Sequence, residues 1–285
     1  MHILKGYTKQ EISWMMYDWA NSAHSVIIVT LLPIFFDTVA GYTADSVSSM
    51  STWGYATSIA MLIVALAAPF LGVFGDIRGM RKKLFSFFML LGVAACAGMA
   101  FTPGMDFTSG PVAAGKVATL ILVLYIVSVI GFDASAIYYD AFLTDVTIED
   151  RMDKVSTMGY GLGYIGGSTI PLLIFLIMNL VGVPMLTCLA FVFGLTAVWW
   201  LAFSLPLLKN CEQTSGKPYE KGDVARSIKG VGTTIKEIIA NKPMLIYILS
   251  YFFYIDGVHT VISMATTYGT NLGLDSTGMM LALLL

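Results

Sequence analysis

The sequence predicts an all-α protein that crosses a membrane several times, and two features carry this prediction. Hydrophobic residues make up 57% of the 285 residues and charged residues only 12%, with a mean hydropathy of +0.78. An average soluble domain carries roughly 25% charged residues. The apolar residues also collect in runs of about 20, the length that a helix needs to cross a hydrocarbon core of about 30 Å.

Seven runs of this length predict seven transmembrane helices. An eighth apolar run begins at Thr277 and reaches Leu285, the last residue, after nine residues. A helix of that length spans only about 13 Å, which is too short to cross, so the sequence is expected to be the front part of a longer protein. The seven full runs cover residues 13–36, 49–74, 84–102, 117–142, 155–181, 184–205 and 244–268.

The basic residues predict how these helices are oriented. With seven spans, every Lys and Arg except Lys116 falls on one side of the membrane. Because positively charged loops stay in the cytoplasm, that side is predicted to be cytoplasmic, and the N-terminus lies inside. The predicted location is therefore the cytoplasmic (plasma) membrane.

A basic, polar segment divides the chain into three parts. Residues 1–206 are predicted to form an N-terminal half of six helices, 207–242 a cytoplasmic linker, and 243–285 the start of a second half. Transporters built from two repeated halves have this outline. The first part of the linker has loop composition, whereas apolar residues from Val224 to Ile239 stand at helical spacing. That spacing predicts an amphipathic helix, either on the membrane surface or as a solvated linker helix.

Polar side chains stand close together in the first predicted span, from Tyr17 to His24. Residues three or four apart share a helix face, so Asp18 points with Asn21, and Asn21 points with Tyr17 and His24. Lipid cannot solvate such groups, which makes Asp18, Asn21 and His24 candidates for a path that binds cargo or passes a proton. For Asp18, a structural cap or salt bridge at the membrane interface is the alternative.

The seventh span contains an echo of this motif. Asp256 is followed by His259 and a hydroxyl residue, much as Asp18 is followed by Asn21 and Ser22. The first and seventh spans would be equivalent in two parallel repeats. The sequence therefore predicts that Asp256 and His259 form a second wall of the same cavity, unless the short echo arose by chance.

An acid also stands in the fourth span, where Asp133 lies within or near the hydrocarbon region. Keeping an unpaired carboxylate ionised there costs free energy. Asp133 is therefore a candidate for proton coupling, and the alternative is a hydrogen bond between two helices.

Small residues recur at intervals of four in the fifth span, at Gly159, Gly163 and Gly167. Such a stripe lets helices approach closely, either between the two halves or in ordinary packing. Tyr160 and Tyr164 share another face of the same helix. They are candidates for lining the cavity, with packing as the alternative.

The loop after the second span combines glycines for a tight turn, one acid and a cluster of bases. These residues are Gly72, Asp76, Arg78, Gly79, Arg81 and Lys82. The pattern resembles the signature loop between the second and third helices of the major facilitator superfamily, with Ile77 and Met80 where that family usually has arginines. The resemblance implies that the loop latches the two halves and gates the conformational change. The alternative is that this basic loop only fixes the orientation of the neighbouring helices in the membrane.

Four further segments make the resemblance more specific. Residues 17–24, 138–145, 159–167 and 254–259 resemble the UMF1 branch of that superfamily, which is related to the Atg22-like vacuolar amino-acid effluxers. The resemblance covers the whole chain. It implies a twelve-helix bundle, of which this chain would be a C-terminally truncated copy, and export of amino acids or similar small zwitterions.

These features favour a secondary transporter that works by alternating access. No Gly-x-x-x-x-Gly-Lys motif is present, so protons or the gradient of the cargo are expected to drive it. An intramembrane enzyme is disfavoured because His-Glu-x-x-His and a serine-nucleophile motif are missing. A seven-helix receptor or photoreceptor is disfavoured because the seventh span has no lysine for a Schiff base and the basic loops fit an N-terminus inside the cell.

The expected partners are a small-molecule cargo, the lipid bilayer and protons, with no nucleic acid. The cysteines Cys96, Cys188 and Cys211 are scattered, so they predict neither a disulfide framework nor a zinc site. No metal, cofactor or enzymatic activity is expected. The full-length protein is predicted to be a monomer.

Overall fold

The computed structural model describes residues 4–43, 48–218, 223–274 and 278–279. Within these residues the chain forms nine α-helices, with a 3-10 turn at Thr102–Gly104 and a π-helical segment at Gly163–Ser168. The α-helices are α1 (Lys9–Ala40), α2 (Ser49–Gly75), α3 (Arg81–Met99), α4 (Pro111–Val146), α5 (Glu149–Leu162), α6 (Thr169–Leu180), α7 (Met185–Asn210), α8 (Asp223–Ala240) and α9 (Lys242–Asn271).

Seven stretches of the described chain are long and apolar enough to cross a membrane. They are α1, α2, α3, α4, the continuous α5–α6 unit, α7 and α9, so the predicted number of spans and the all-α membrane fold class are confirmed. Helices suit this setting because every backbone hydrogen bond is made within one segment. The start of the eighth apolar run, at Thr277, lies outside the described residues.

The helices extend beyond the apolar runs that predicted them. α1 begins at Lys9 because Thr8 caps it: the Thr8 hydroxyl accepts from the Glu11 N–H at 3.1 Å, and the Thr8 N–H donates to the Glu11 carboxylate at 2.7 Å. This reciprocal pair satisfies two N–H groups that a helix start leaves unbonded. Hydropathy alone misses such ends because the capping residues are polar.

α1 lies at the centre of the helix bundle. It contacts α4, α5, the π-helical segment and α7, and most of its apolar window is buried. Met15, Tyr17, Ile27 and Leu31 are fully buried along its length. The first span is therefore surrounded mainly by protein, so its polar side chains face other helices.

Two glycines set the closest approach of α3 to α4. A Cβ atom at Gly131 would lie 2.5 Å from the backbone nitrogen of Gly92 and 2.8 Å from the carbonyl oxygen of Phe88. At Gly92, an added Cβ would overlap the indole of Trp200. Small residues at such a crossing let the two backbones touch, which is how helices in lipid gain packing energy.

The glycine stripe of the fifth span packs against α1. A Cβ at Gly159 would lie 2.5 Å from Asp18 Oδ2, and one at Gly163 would lie 2.6 Å from Ser22 Oγ. Gly167 approaches α1 in the same way. The stripe therefore serves packing inside the first half, which is one of the two roles that its spacing leaves open.

α2 and α9 contribute few buried residues to this bundle. Most of the long apolar side chains of both helices are exposed. α9 packs through its C-terminal third, where Thr266, Thr267 and Gly269 are buried and Met264 packs against the core. The remaining apolar faces are available to lipid or to further helices.

The segment predicted to be the linker contains the end of α7 at its start and α8 further on. α7 continues to Asn210, past the predicted boundary at 206, and residues 211–217 that follow are held against other loops. α8 provides the helix predicted from the apolar spacing, and it contacts α2. Ile235 and Ile239 on α8 are exposed, and a position on the membrane surface stays a prediction.

Candidate functional site

The Tyr17 side chain of the first-span motif is part of the interior of the helix bundle. Its hydroxyl lies 2.7 Å from Ser135 Oγ on α4 and accepts a hydrogen bond from Trp200 Nε1 on α7 at 3.4 Å. One turn earlier, Trp14 Nε1 donates to the carbonyl oxygen of Tyr139 at 2.9 Å. These bonds join α1, α4 and α7 and fix the rotation of α1 about its axis.

His24 lies deeper along α1, in an aromatic pocket. Its ring stacks on Phe132 at 4.8 Å and tilts against Trp200 at 5.0 Å, and its residue exposure is 3%. Neither ring nitrogen has a hydrogen-bond partner among the described residues. His24 is therefore held between α4 and α7 inside the first half, and a role for it in proton or cargo movement stays a prediction.

Asp18 lies where α1, α4 and α5 meet. Its carboxylate faces Gly159 and is close enough to Tyr139 and Asp140 to interact with them electrostatically. Asp18 and Asn21 both retain 9% exposure. No cation pairs with Asp18 among the described side chains, so the structure shows no salt bridge for it.

Two more acids, Asp133 and Asp140, lie on one face of α4. Asp133 is largely enclosed, and its Oδ2 has no hydrogen-bond partner in the described part of the chain. Asp140, two turns further along, is exposed and interacts electrostatically with Asp18. In the described part of the chain neither acid forms an ion pair. Asp18, Asp133 and Asp140 are thus carboxylates on α1 and α4 that have no countercharge among the described residues.

Tyr160 and Tyr164 stand on the open side of the fifth span. Their rings are 5.6 Å apart, and they are 63% and 66% exposed. The glycine face of the same span is turned toward α1. Tyr160 is also within electrostatic range of Asp18 and Asp140, so the tyrosine pair adjoins the acidic junction.

The π-helical segment Gly163–Ser168 lies against the first-span motif. The indole of Trp19 occupies the space beside Gly166, where a Cβ atom has no room. Trp199 Nε1 donates to the Trp19 carbonyl oxygen at 3.0 Å. Pro171 follows in α6 and lacks the N–H that a regular helix would use. Such π-helical segments are frequent at functional sites. In the sequence, only the many glycines of 159–167 pointed to an irregular helix here.

Asp256 and His259 do not meet the acids of α1 in this structure. Both side chains are exposed on α9. Within the described residues no hydrogen bond or ion pair joins either side chain to α1. The echo in sequence is therefore not matched by a contact, and a shared cavity wall stays a prediction.

Arg81 is the centre of the signature loop. Its guanidinium is buried, pairs with the fully buried carboxylate of Asp145, and donates to the Ala141 carbonyl oxygen at 2.9 Å. It also lies 5.8 Å from the centroid of the Phe142 ring. The bond to Asp145 ties the start of α3 to the end of α4. Asp145 thus pairs with an arginine of the signature loop, whereas Asp140 forms no ion pair among the described residues.

The other predicted loop residues surround this pair. Gly79 has φ +81°, a conformation that favours glycine. Asp76 lies 3.9 Å from Arg81 but its side chain is 81% exposed, so this ion pair contributes little. Arg78 is exposed, and Gly72 has free space beside it. Lys82 donates to the Cys211 carbonyl oxygen at 3.1 Å, which links the loop to the segment after α7.

A second charge cluster, built around the buried Glu11 carboxylate, was missed by the sequence analysis. Arg151 makes two bonds of 2.9 Å to the Glu11 carboxylate, one to each oxygen, and Thr147 donates to the same carboxylate at 2.7 Å. The paired geometry is the strong form of an arginine–carboxylate contact. The Thr8-x-x-Glu11 spacing was a visible sign of a cap, but nothing in the sequence pointed to Arg151 as a partner.

The described residues contain no group of three or more His, Cys, Asp or Glu side chains that could hold a metal ion. The arrangement instead offers unpaired carboxylates, a buried imidazole and two exposed phenols. Such groups can bind an ammonium group or exchange protons.

The sequence of this chain is similar to those of known proteins. The family model of the vacuole effluxer Atg22-like proteins matches residues 39–285. The uncharacterized MFS-type transporter YxiO of Bacillus subtilis (strain 168) is 39% identical over 289 aligned residues, which cover 99% of this chain and 65% of that protein. This chain thus spans about two thirds of the length of that relative.

Two fungal proteins match part of the chain. Autophagy-related protein 22-1 of Penicillium rubens is 27% identical over 136 residues, 44% of this chain and 23% of that protein. Autophagy-related protein 22-1 of Sclerotinia sclerotiorum is 26% identical over 131 residues, 40% of this chain and 22% of that protein. Both similarities agree with the family match.

Proposed function

Because this chain belongs to the vacuole effluxer Atg22-like family, we propose that it acts in the export of a small zwitterion, such as an amino acid, by alternating access coupled to protons. The supporting observation is the set of carboxylates of Asp18, Asp133 and Asp140, which lie in transmembrane helices without a basic partner among the described residues. Ionisable residues kept at such cost inside a membrane mark ion and substrate paths.

Asp18 is the proposed contact for the ammonium group of the cargo. It adjoins Tyr160 and Tyr164 on the open side of the bundle, and its low exposure keeps bulk water from screening its charge. Asn21 on the same face offers amide hydrogen bonds for a second polar group. A carboxylate, an amide and aromatic rings together suit a small zwitterion.

Asp133 is the proposed proton carrier. The alternative was a hydrogen bond between helices, yet Asp133 Oδ2 has no partner. An acid in that position can hold a proton in one conformation and release it when the cavity opens to water. His24 is proposed as a second proton site, because both its nitrogens are also without partners.

A second set of helices, of which α9 is the first, is proposed to close the cavity. α9 carries Asp256 and His259 on an exposed face, where another conformation or further helices could enclose them. We propose that the transporter is a monomer in the cytoplasmic membrane. The family membership favours this reading over the intramembrane enzyme and the seven-helix receptor.

The proposal is tested by amino-acid efflux from loaded cells that express the full-length protein. Asp18→Asn keeps the size and the contact with Gly159 but removes the charge, so efflux should fall at least about tenfold, the effect of losing about 1.4 kcal/mol of binding. Asp256→Asn is expected to act in the same direction. Protein level in the membrane should stay unchanged in both variants.

Asp153→Asn is the matched control, because Asp153 is an exposed acid outside the junction. It should transport like the unmodified protein. Unchanged efflux and unchanged pH dependence in Asp18→Asn would remove Asp18 from the mechanism.

The orientation of the chain is tested separately. Since all basic residues but Lys116 fall on one side, a reporter fused after Lys221 should be active only in the cytoplasm. A tag inserted at Asp106, in the exposed loop between α3 and α4, should be reached by antibody on intact cells. Finding the Lys221 fusion outside the cell would contradict the predicted topology.

A further inference from the structure

The segment after α7, residues 211–217, is docked although its sequence has linker composition. Gln213 makes three bonds to the turn of the signature loop: its Oε1 accepts from the N–H groups of Gly79 at 2.8 Å and Arg81 at 3.2 Å. Its Nε2 donates to the Gly75 carbonyl oxygen at 2.9 Å. One side chain thus satisfies backbone groups on both sides of the turn.

The same segment shares Asp145 with Arg81. Asp145 Oδ1 accepts from the backbone N–H groups of Thr214 at 3.1 Å and Ser215 at 2.9 Å, and from their hydroxyls at 2.9 and 2.8 Å. The other carboxylate oxygen receives Arg81. The carboxylate that holds the signature arginine therefore also holds the segment.

The backbone of the segment pairs with the loop as well. Arg78 N–H donates to the Lys217 carbonyl oxygen at 3.0 Å, and Lys217 N–H donates to the Asp76 carbonyl oxygen at 3.2 Å. Gly216 between them has φ +109°, and a Cβ there would lie 2.7 Å from the Asp76 oxygen. Only glycine fits this close approach without strain.

Ordering a polar segment costs conformational entropy. The hydrogen bonds of residues 211–217 offset this cost. All the named partners belong to the signature loop or to the ends of neighbouring helices in the first half. We propose that residues 211–217 are a positioning strap, which holds the signature loop and the Arg81–Asp145 pair in one arrangement and transmits movements of the linker to them.

The strap lies between the first half and α8, which leads to α9. The strap and Arg81 bind different oxygens of the same Asp145 carboxylate, and Arg81 Nη1 also donates to Ser215 Oγ at 3.2 Å. Release of the strap should therefore change the setting of Arg81, and movement of Arg81 should change the hold on the strap. Such coupling is reciprocal. The contacts between the strap and the signature loop do not depend on the identity of the cargo.

A native cysteine reports on the strap. Cys211 at its start is fully buried, and burial raises the pKa of its thiol to about 12, so a docked strap should leave it slow to react. The assay measures maleimide labelling of Cys211 in permeabilised membranes, in a background with Cys96→Ala and Cys188→Ala. Tryptic cleavage after Arg78, which is exposed in the loop, provides an independent measure of the loop itself.

Gln213→Ala should raise both the Cys211 labelling rate and the cleavage rate at Arg78 by about tenfold, because three hydrogen bonds of the docked state are lost. Ser215→Ala should act in the same direction, whereas Ser215→Thr keeps the hydroxyl and should stay close to the unmodified protein. Glu212→Ala is the matched control, since Glu212 is the exposed neighbour of Gln213.

Equal labelling of Cys211 in Gln213→Ala and Glu212→Ala would overturn the proposal. Faster labelling of Cys211 with unchanged cleavage at Arg78 would also overturn it, because the segment would then not position the loop. Neither rate involves cargo, so failure of the proposed export would leave both readouts intact. Circular dichroism of the variants should show unchanged helix content, which separates release of the strap from unfolding.

Discussion

Gly131→Ala is expected to prevent α3 and α4 from reaching their native contact and to lower the yield of folded protein severalfold. The added Cβ would lie 2.5 Å from the Gly92 nitrogen and 2.8 Å from the Phe88 carbonyl oxygen. Both neighbours are backbone atoms, which cannot turn aside as a side chain can. Relieving the contact requires the helices to separate, and overpacking of this kind costs about 1–3 kcal/mol or more.

Gly115→Ala is the control in the same helix, because nothing lies within 4 Å of the position where its Cβ would stand. Alanine has a helix propensity about 1 kcal/mol better than glycine, so this variant should be as stable as the unmodified protein or more stable. The measurement is the thermal unfolding midpoint in detergent together with the amount of protein in the membrane. Similar midpoints for the two variants would show that α3 and α4 do not cross at Gly131.

Asp145→Ala is expected to destabilise the end of the bundle where α3 begins and α4 ends, more than any other single removal of a charge. The Asp145 side chain is fully buried, and it receives Arg81 as well as four bonds from the strap. Its removal leaves the buried guanidinium of Arg81 with only the exposed Asp76 carboxylate, at 3.9 Å, as a countercharge. Breaking one side of such a pair typically costs about 3–5 kcal/mol, which should lower the unfolding midpoint by several degrees and stop transport.

Two further variants separate the causes. Asp153→Ala removes an exposed acid and should leave the midpoint unchanged. The double variant Arg81→Met with Asp145→Leu replaces the whole pair by apolar groups, so it should recover part of the lost stability but not transport. If Asp145→Ala and Asp153→Ala unfold at the same temperature, the buried pair does not stabilise this protein.

The transmembrane helices could be predicted from the sequence because hydropathy is a local property. A run such as 184–205 has the length and composition that the bilayer demands, whatever its neighbours are. The amphipathic spacing of α8 and the signature loop were visible for the same reason, since their residues are close in sequence. The ends of α1 and α7 were missed because polar caps and charged last turns lie outside the apolar runs.

Contacts between distant segments could not be predicted in this way. Arg81 and Asp145 are separated by 64 residues, and Arg151 and Glu11 by 140. Each acid had several possible basic partners in the sequence, and only the packing of the helix ends selects one. The strap was read as an ordinary linker because Gln213, Thr214 and Ser215 bond to the loop through common polar groups without a motif.

The sequence by itself determined the helical membrane fold, the number of spans in the described chain and the family, because composition, run length and local motifs decide these. Only the tertiary structure decided which faces meet. It placed the glycine stripe against α1, His24 between Phe132 and Trp200, and Gln213 on the signature loop. The reason is physical: a helix can rotate about its axis without changing its hydropathy, and only close packing fixes the rotation.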